Sequence, residues 1–219
     1  MAHPSVSELE RIPLLAVLSR DELQSAASFF TVRSYPKDAI LITEGDRVDV
    51  FNFVLAGRVK AFWRDEDGRQ LDLTVIKPGD HFPDATLGGE PAHLSAITLE
   101  DLRVAAISMA DLERLLLRHP QLAVMLMKRL AARLRRLLTV TRSYSMEDVY
   151  GRVTQMLLTL ATERDGQQVT EPLTHAEIGR RVGATREMVG RVMRDLSRGG
   201  YIRVERTGIA ILRKPPRHW

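Results

Sequence analysis

Three charged side chains sit close together in TREMVGRVMRDL, Thr185 to Leu196: Arg186, Glu187 and Arg191. A guanidinium carries a rigid fork of donors that matches O6 and N7 of guanine, and a glutamate carboxylate accepts from the cytosine amino group. Glu187 and Arg191 are four residues apart and share a helix face, with Arg186 adjacent. Val189, Val192, Met193 and Leu196 recur at i, i+3, i+4 and i+7 and form an apolar stripe. Solubility alone asks for no particular residues opposite that stripe. A capping acid with an i, i+4 ion pair is the bland account of the polar face; base reading in a major groove is the chemical one.

A second cationic group lies in KRLAARLRR, where Arg129 and Arg133 are one turn apart beside Arg135 and Arg136. Such a group is either a solvated helix face, with aliphatic stems lying along apolar surface, or a clamp that binds phosphates bidentately. The remaining chemistry is sparse. The histidines at 3, 81, 93, 119, 175 and 218 are scattered, with no paired HxxxH, so no metal or haem site is expected. The sequence contains no cysteine, which excludes disulfides, thiolate metal sites and cysteine-ligated clusters. Gly88-Gly89 is not followed by Lys-Ser/Thr, so it is no phosphate loop. Asp65-Glu66-Asp67-Gly68 reads as a hairpin turn, because a calcium loop spreads its ligands over about twelve residues. There is no nucleophile elbow, and no enzyme activity is expected.

These side chains need elements to hold them. Residues 1–127 carry 13 Lys+Arg against 19 Asp+Glu, residues 128–145 carry six basic residues and no acid, and residues 146–219 carry 13 basic against nine acidic. An acidic front and a basic back point to a polyanion that meets the back half. The 219 residues allow one or two domains. MAHPSVSELERIP lacks the features of a secretory signal, and no apolar run is long enough to span a membrane, so a cytoplasmic location is expected.

Ser19 and Glu22 form a capping box that opens a short helix through Ser28. From about 31 to 107 the runs TVRSY, AILIT, VFNFVLAG, RVKAFW, QLDLTVI, SAITL and RVAAI are β-branched or aromatic and end at glycines, the pattern of an antiparallel barrel or sandwich. Ser108 to Asp111 starts a helix, and Pro120 stands at the first position of another. Along 120–144, Ala123, Met127, Leu130, Leu134, Leu137, Thr141 and Tyr144 alternate four and three apart, an a/d seam. The seam packs either on the chain's own barrel or on a second copy. A helix of roughly 25 residues is about 37 Å long, more than a small barrel covers, which favours a parallel homodimer through Met127, Leu130, Leu134, Leu137, Thr141 and Tyr144. SYSMEDV, 143–149, reads as a hinge with Ser145 capping the next helix, which runs to about Thr162; ERDGQQ reads as a turn.

LTHAEIGRRVGATREMVGRVMRDL then holds two helices and a tight turn. Thr174 and Glu177 form a capping box, Leu173 and Ile178 a hydrophobic staple, Gly183 suits a left-handed C-terminal residue and Thr185 caps the second helix. YIRVERTGIAILR alternates around Arg206-Thr207-Gly208 as a hairpin, which completes a winged helix-turn-helix.

On these residues the chain resembles the cyclic AMP receptor protein/FNR family of bacterial transcription regulators over nearly its full length. EIGRRVGATREMVGR, Glu177 to Arg191, is similar to the family pattern EIGxxVGxSRExVGR. The resemblance implies that Arg186, Glu187 and Arg191 read bases in TGTGA-like half-sites, that Thr185 stands near the backbone, and that Thr174 contacts phosphate. His175 stands where the family often has Arg. The sensing cassette FPDATLGGEPAHLSA, Phe82 to Ala96, departs from the family's FGExxLL…RSA. Pro83 replaces a glycine, Asp84 the ribose-binding Glu, Leu94 the phosphate-binding Arg, and Leu137-Leu138 the adenine-contacting Thr-Ser pair. These replacements argue against cyclic AMP. Asp84, Ser95, Arg129, Arg133 and Arg136 are the expected effector contacts, with cyclic di-GMP, a ligand used by some relatives, as the favoured effector.

The expectation is therefore an α+β chain. Residues 1–119 form an antiparallel β-roll (a double-stranded β-helix of cyclic-nucleotide-binding type), 120–144 a dimerisation helix and 145–219 a winged helix-turn-helix. Its expected partners are double-stranded DNA, a second copy and RNA polymerase. An effector-independent regulator, or a sensing module that binds a protein instead of DNA, are the competing readings.

Overall fold

The computed structural model describes residues 2–84, 86–146, 148–164 and 166–216, with the backbone alone for 139–146. The chain divides into two units, Met1–Arg64 with Asp72–Leu134, and Asp65–Leu71 with Arg135–Trp219.

The first unit begins with helices α1 (Val6–Glu10) and α2 (Arg20–Ala26). Both open with a capping box. Ser5 and Ser19 accept from the amides of Glu8 and Glu22, whose carboxylates return to the serine amides at 2.9 and 2.7 Å. Glu8 falls three residues after Ser5 in the same Ser-x-x-Glu signature as the second box, so α1 was available to sequence reading. Strands β1 (Phe30–Tyr35), β2 (Ile40–Ile42), β3 (Val50–Ala56), β4 (Val59–Arg64), β5 (Gln70–Ile76), β6 (His81–Phe82), β7 (Ser95–Thr98) and β8 (Leu102–Ser108) follow. They form two four-stranded sheets, ordered β1-β8-β3-β6 and β2-β7-β4-β5, the roll that the sequence predicts. Asp65 to Gly68 is a hairpin turn, closed by the Gly68 amide on the Asp65 carbonyl at 3.0 Å.

The first sheet is buried on both faces, and strand alternation decides which side chain goes where. Phe51 and Phe53 on β3, with Ala105 and Ile107 on β8, pack among the helices with Leu9, Leu15, Leu23 and Leu122. Their neighbours Val54, Val104 and Ala106 point the other way and pack with Val59, Ala61 and Ala96 of the second sheet. Phe53 is paired in register with His81, which brings the two-residue strand β6 to the aromatic side of this core.

Helix α3 (Met109–Arg118) is capped by Ser108, whose hydroxyl accepts from the Asp111 amide at 3.0 Å. Helix α4 (Pro120–Met146) starts at the proline, as expected. Leu122 and Leu126 bury one side of α4 in the roll's core, with Met125 and Leu130 partly packed there. Val124, Met127, Leu134, Leu137 and Leu138 are between 46% and 61% exposed.

In the second unit, α5 (Val149–Leu160) is capped by Asp148, which accepts from the Gly151 amide at 2.7 Å. This corrects the expectation for Ser145. The backbone at Ser145 is still helical, so it lies inside α4 and cannot supply the extended residue that a cap requires. Strands β9 (Thr162–Arg164) and β10 (Gln167–Val169) extend what read as a plain ERDGQQ turn into a hairpin. Both strands are short and largely exposed, so they carry no alternation. Helices α6 (His175–Val182) and α7 (Arg186–Arg198) and strands β11 (Ile202–Glu205) and β12 (Gly208–Ile211) complete the unit, with sheet order β11-β12-β10-β9. Ile178, Val182, Val189, Met193 and Leu196 meet Val153 and Leu157 of α5 and Ile202 and Ile209 of the wing. Val192 and the staple residue Leu173 pack against that cluster partly buried.

Candidate nucleic-acid interface and sensor site

The approach of α6 to α7 is set by two glycines. Gly183 ends α6 in the left-handed region at φ 63°, a conformation costly for other residues. A Cβ on Gly179 would stand 2.5 Å from the Ala184 carbonyl oxygen, so only hydrogen fits where the turn crosses α6. The Thr174 amide and hydroxyl both donate to Glu177 at 2.7 Å, and Thr174 accepts from the Glu177 amide at 3.2 Å. These bonds hold the Glu177 carboxyl below its ordinary range, with Arg180 and Arg181 adding to the effect. Thr185 accepts from the Met188 amide at 3.3 Å and so starts α7.

With Val189, Met193 and Leu196 buried, the opposite face of α7 presents Arg186, Glu187 and Arg191 to solvent. Together with His175, Gly190, Arg194, Ser197 and the exposed wing residue Val204, they line one open groove. His175 lies over Gly190, where an added Cβ would come into contact with the imidazole Nδ1 at 3.4 Å. The Glu187 carboxyl is held below its ordinary value, first by its own amide and the Thr185 hydroxyl, then by Arg186 and Arg191. It is therefore ionised and acceptor-only near neutral pH. The structure thus brings His175, Arg186, Glu187 and Arg191, four of the six expected DNA-contact residues, to one groove, while Thr174 and Thr185 are engaged as the caps of α6 and α7.

The sensor residues are arranged differently from expectation. Asp84 and Arg133 meet. Arg133 Nη1 is ion-paired with Asp84 Oδ2, and Arg133 Nη2 donates to the His81 carbonyl at 2.9 Å. His81 Nδ1 is 2.7 Å from Asp84 Oδ1. His81 is fully buried, stacked on Phe51 with ring centroids 5.1 Å apart and edge-on to Phe53 at 6.0 Å. Burial pushes its pKa down to about 3, Arg133 and Arg129 add to this, and Asp80 opposes it. The imidazole is therefore neutral and Nδ1–H donates to the carboxylate, while Nε2 has no hydrogen-bond partner among the described residues. Burial also pulls the Arg133 guanidinium below its ordinary value, against Asp80.

Sequence reading passed over His81 as one scattered histidine. Its signal was the spacing His81-x-x-Asp84 at the edge of an apolar strand.

Other predicted contacts lie elsewhere. The Ser95 hydroxyl accepts from the Glu44 amide at 3.1 Å. Arg129 is half-buried on α4 and Arg136 is exposed. Leu94 packs partly into the core between the sheets. Of the seam residues, Met127, Leu134 and Leu137 are exposed and Leu130 is partly covered by the roll. The side chains of Thr141 and Tyr144 lie outside the described residues. Among the described residues no group of three or more His, Asp or Glu side chains is placed to hold a metal ion, and no helix is long and apolar enough to cross a membrane.

Comparison with known proteins gives two domain matches. Residues 32–119 match the cyclic nucleotide-binding domain, and residues 151–215 match the Crp-like helix-turn-helix domain. The CRP-like cAMP-activated global transcriptional regulator of Mycobacterium tuberculosis is 33% identical over 184 residues, covering 81% of this chain and 82% of that protein. The structure of the Thermus thermophilus catabolite activator protein is 30% identical, with a TM-score of 0.57, over 92% of this chain and 94% of that one. The c-di-GMP responsive global regulator CLP of Xanthomonas campestris shares the fold, with a TM-score of 0.75 at 21% identity, over 89% of this chain and 99% of that one.

Proposed function

Because the chain belongs to the Crp-Fnr family of transcription regulators, we propose that it acts as a homodimer that reads a TGTGA-like palindrome under the control of an anionic nucleotide, with cyclic di-GMP the favoured effector. The observation that carries this reading is the exposed Arg186–Glu187–Arg191 face of a helix whose other face buries Val189, Met193 and Leu196 in its domain's core. Two arginines and an acid at the start of such a helix suit guanine, cytosine and guanine edges in a major groove. His175, which lines the same groove at the start of α6, supports a contact to the adjacent phosphate backbone, and Thr174 beside it is the phosphate contact the family implies. The exposed Met127, Leu134 and Leu137 support a dimer through α4. In that dimer the two reading helices must sit about 34 Å apart to enter successive turns of the groove. An effector works by binding better to the arrangement that has this spacing. RNA polymerase is the partner the family implies.

The effector reading rests on the sensing cassette. Leu94 offers no charge to a cyclic phosphate and packs into the core, whereas the basic run of α4 offers several guanidinium groups. The curated relative is cAMP-activated, so cyclic AMP is the second reading, and CLP provides a precedent for cyclic di-GMP within this fold.

A mobility shift on a TGTGA palindrome, with and without each nucleotide, tests DNA reading. A shift that weakens steeply with salt is expected. No shift at low salt, with or without ligand, overturns it in favour of a protein-binding module. Calorimetric titration tests the effector, with heat expected from cyclic di-GMP and none from cyclic AMP. The reverse result selects cyclic AMP, and heat from neither rejects both.

A further inference from the structure

Asp84 and Arg133 lie where the effector is proposed to bind, and each already holds the other. Both oxygens of the carboxylate are committed, Oδ1 to His81 Nδ1–H at 2.7 Å and Oδ2 to Arg133 Nη1. The guanidinium is committed too, through Nη2 to the His81 carbonyl. His81, buried against Phe51 and Phe53, holds the carboxylate through Nδ1–H. The Asp84 side chain is 14% exposed and that of Arg133 is 37% exposed. The carboxylate is thus the inner group, and the guanidinium is a plug placed over it by the chain's own long helix.

Resting on the effector reading above, we propose that the effector binds by exchange at Asp84: a ligand with a guanidinium-like edge of two N–H donors takes the two acceptors that Arg133 holds, Asp84 Oδ2 and the His81 carbonyl, and releases Arg133. The ligand chemistry follows from what it replaces. A hydroxyl offers one donor where the guanidinium supplies two, and leaves one of its acceptors without a partner. An adenine edge sets a ring-nitrogen acceptor beside its amino group, and that acceptor faces one of the two oxygens. A guanine edge has N1–H and N2–H side by side, both pointing outward, in the fork arrangement of a guanidinium. Guanine is therefore the base that fits the two acceptors Arg133 vacates, Asp84 Oδ2 and the His81 carbonyl. The released guanidinium, one helical turn from Arg129, then serves a phosphate of the same ligand bidentately. Because Arg133 belongs to α4, the exchange also breaks a tie between that helix and β6. Ligand occupancy and helix position become one equilibrium, as a population shift requires.

Nucleosides without phosphate isolate this exchange. Guanosine and adenosine are titrated into the full chain as wild type, Arg133→Met and Asp84→Asn, with thermal unfolding confirming that each variant folds. Removing the plug is expected to tighten guanosine binding at least tenfold while adenosine is unchanged, and Asp84→Asn is expected to lose the preference for guanosine. Equal guanosine affinity in wild type and Arg133→Met, or a preference that survives in Asp84→Asn, overturns the proposal. Amide hydrogen exchange on the wild-type chain needs no variant. Residues 122–134 are expected to lose protection on adding cyclic di-GMP, and unchanged or increased protection there counts against the exchange. If cyclic di-GMP gives no heat with the wild-type chain, the effector reading falls and takes the exchange with it. Heat from cyclic di-GMP with no response in the nucleoside series removes the exchange alone.

Discussion

His81 donates to Asp84 across 2.7 Å from a position with no solvent exposure, and the same Asp84 carries Arg133 on its other oxygen. A buried neutral imidazole, an ionised carboxylate and a guanidinium thus form one network joining strand β6 to the long helix.

This network makes stability depend on acid. In the fold His81 titrates near 3, against an ordinary value of 6.5. Between those values the unfolded chain takes up a proton that the folded chain refuses. Stability is therefore full above about pH 6.5 and falls as the pH drops toward 3, by at most about 1.4 kcal/mol per unit for this group. His81→Phe removes that proton uptake. Urea denaturation from pH 6.5 to 5 is expected to show a shallower decline of the midpoint in the variant; parallel declines would count against a depressed His81.

Arg186→Ala is expected to cost about 1–3 kcal/mol on the cognate site and to relax discrimination at one base pair. Competition binding against sites substituted at each position reads this directly. An equal loss on random DNA would make Arg186 a phosphate contact.

Leu134 and Leu137 are more than half exposed on one stretch of α4. Leu137→Lys is expected to shift the chain from dimer to monomer in light scattering and to abolish palindrome binding while half-site contacts weaken less. A variant that stays dimeric would place the interface elsewhere.

Gly179→Ala is expected to destabilise the helix-turn-helix by about 1–3 kcal/mol, because its methyl group meets the Ala184 carbonyl oxygen and the two helices must part. Thermal unfolding and the mobility shift should fall together. Gly190→Ala, whose methyl meets only the movable His175 ring at 3.4 Å, is expected to leave stability nearly unchanged and to weaken DNA binding alone.

The helix-turn-helix was legible because its signals are local. Thr174 with Glu177, Gly183 and Thr185 name the ends of two helices, and the stripe from Val189 to Leu196 names the face that goes inward. The roll was legible for a similar reason, since β-branched runs broken by glycines need only short-range patterning. The Ser145 cap failed because α4 carries on through that residue and Asp148 takes its place. A second serviceable cap three residues downstream makes the choice one of helix continuation, which the tripeptide around Ser145 does not encode.

By itself, then, the sequence determined the architecture and the polar face of α7, since periodicity and capping act within a few residues. Tertiary structure decided the chemistry of the sensor. Arg133 lies 49 residues from Asp84 in the chain, and no local pattern shows that a cation on α4 meets a carboxylate after β6. Nor does it show that His81, one of six histidines, is the one buried against two phenylalanines, stacked on Phe51 and edge-on to Phe53. Long-range packing and burial set those partners and the protonation that goes with them.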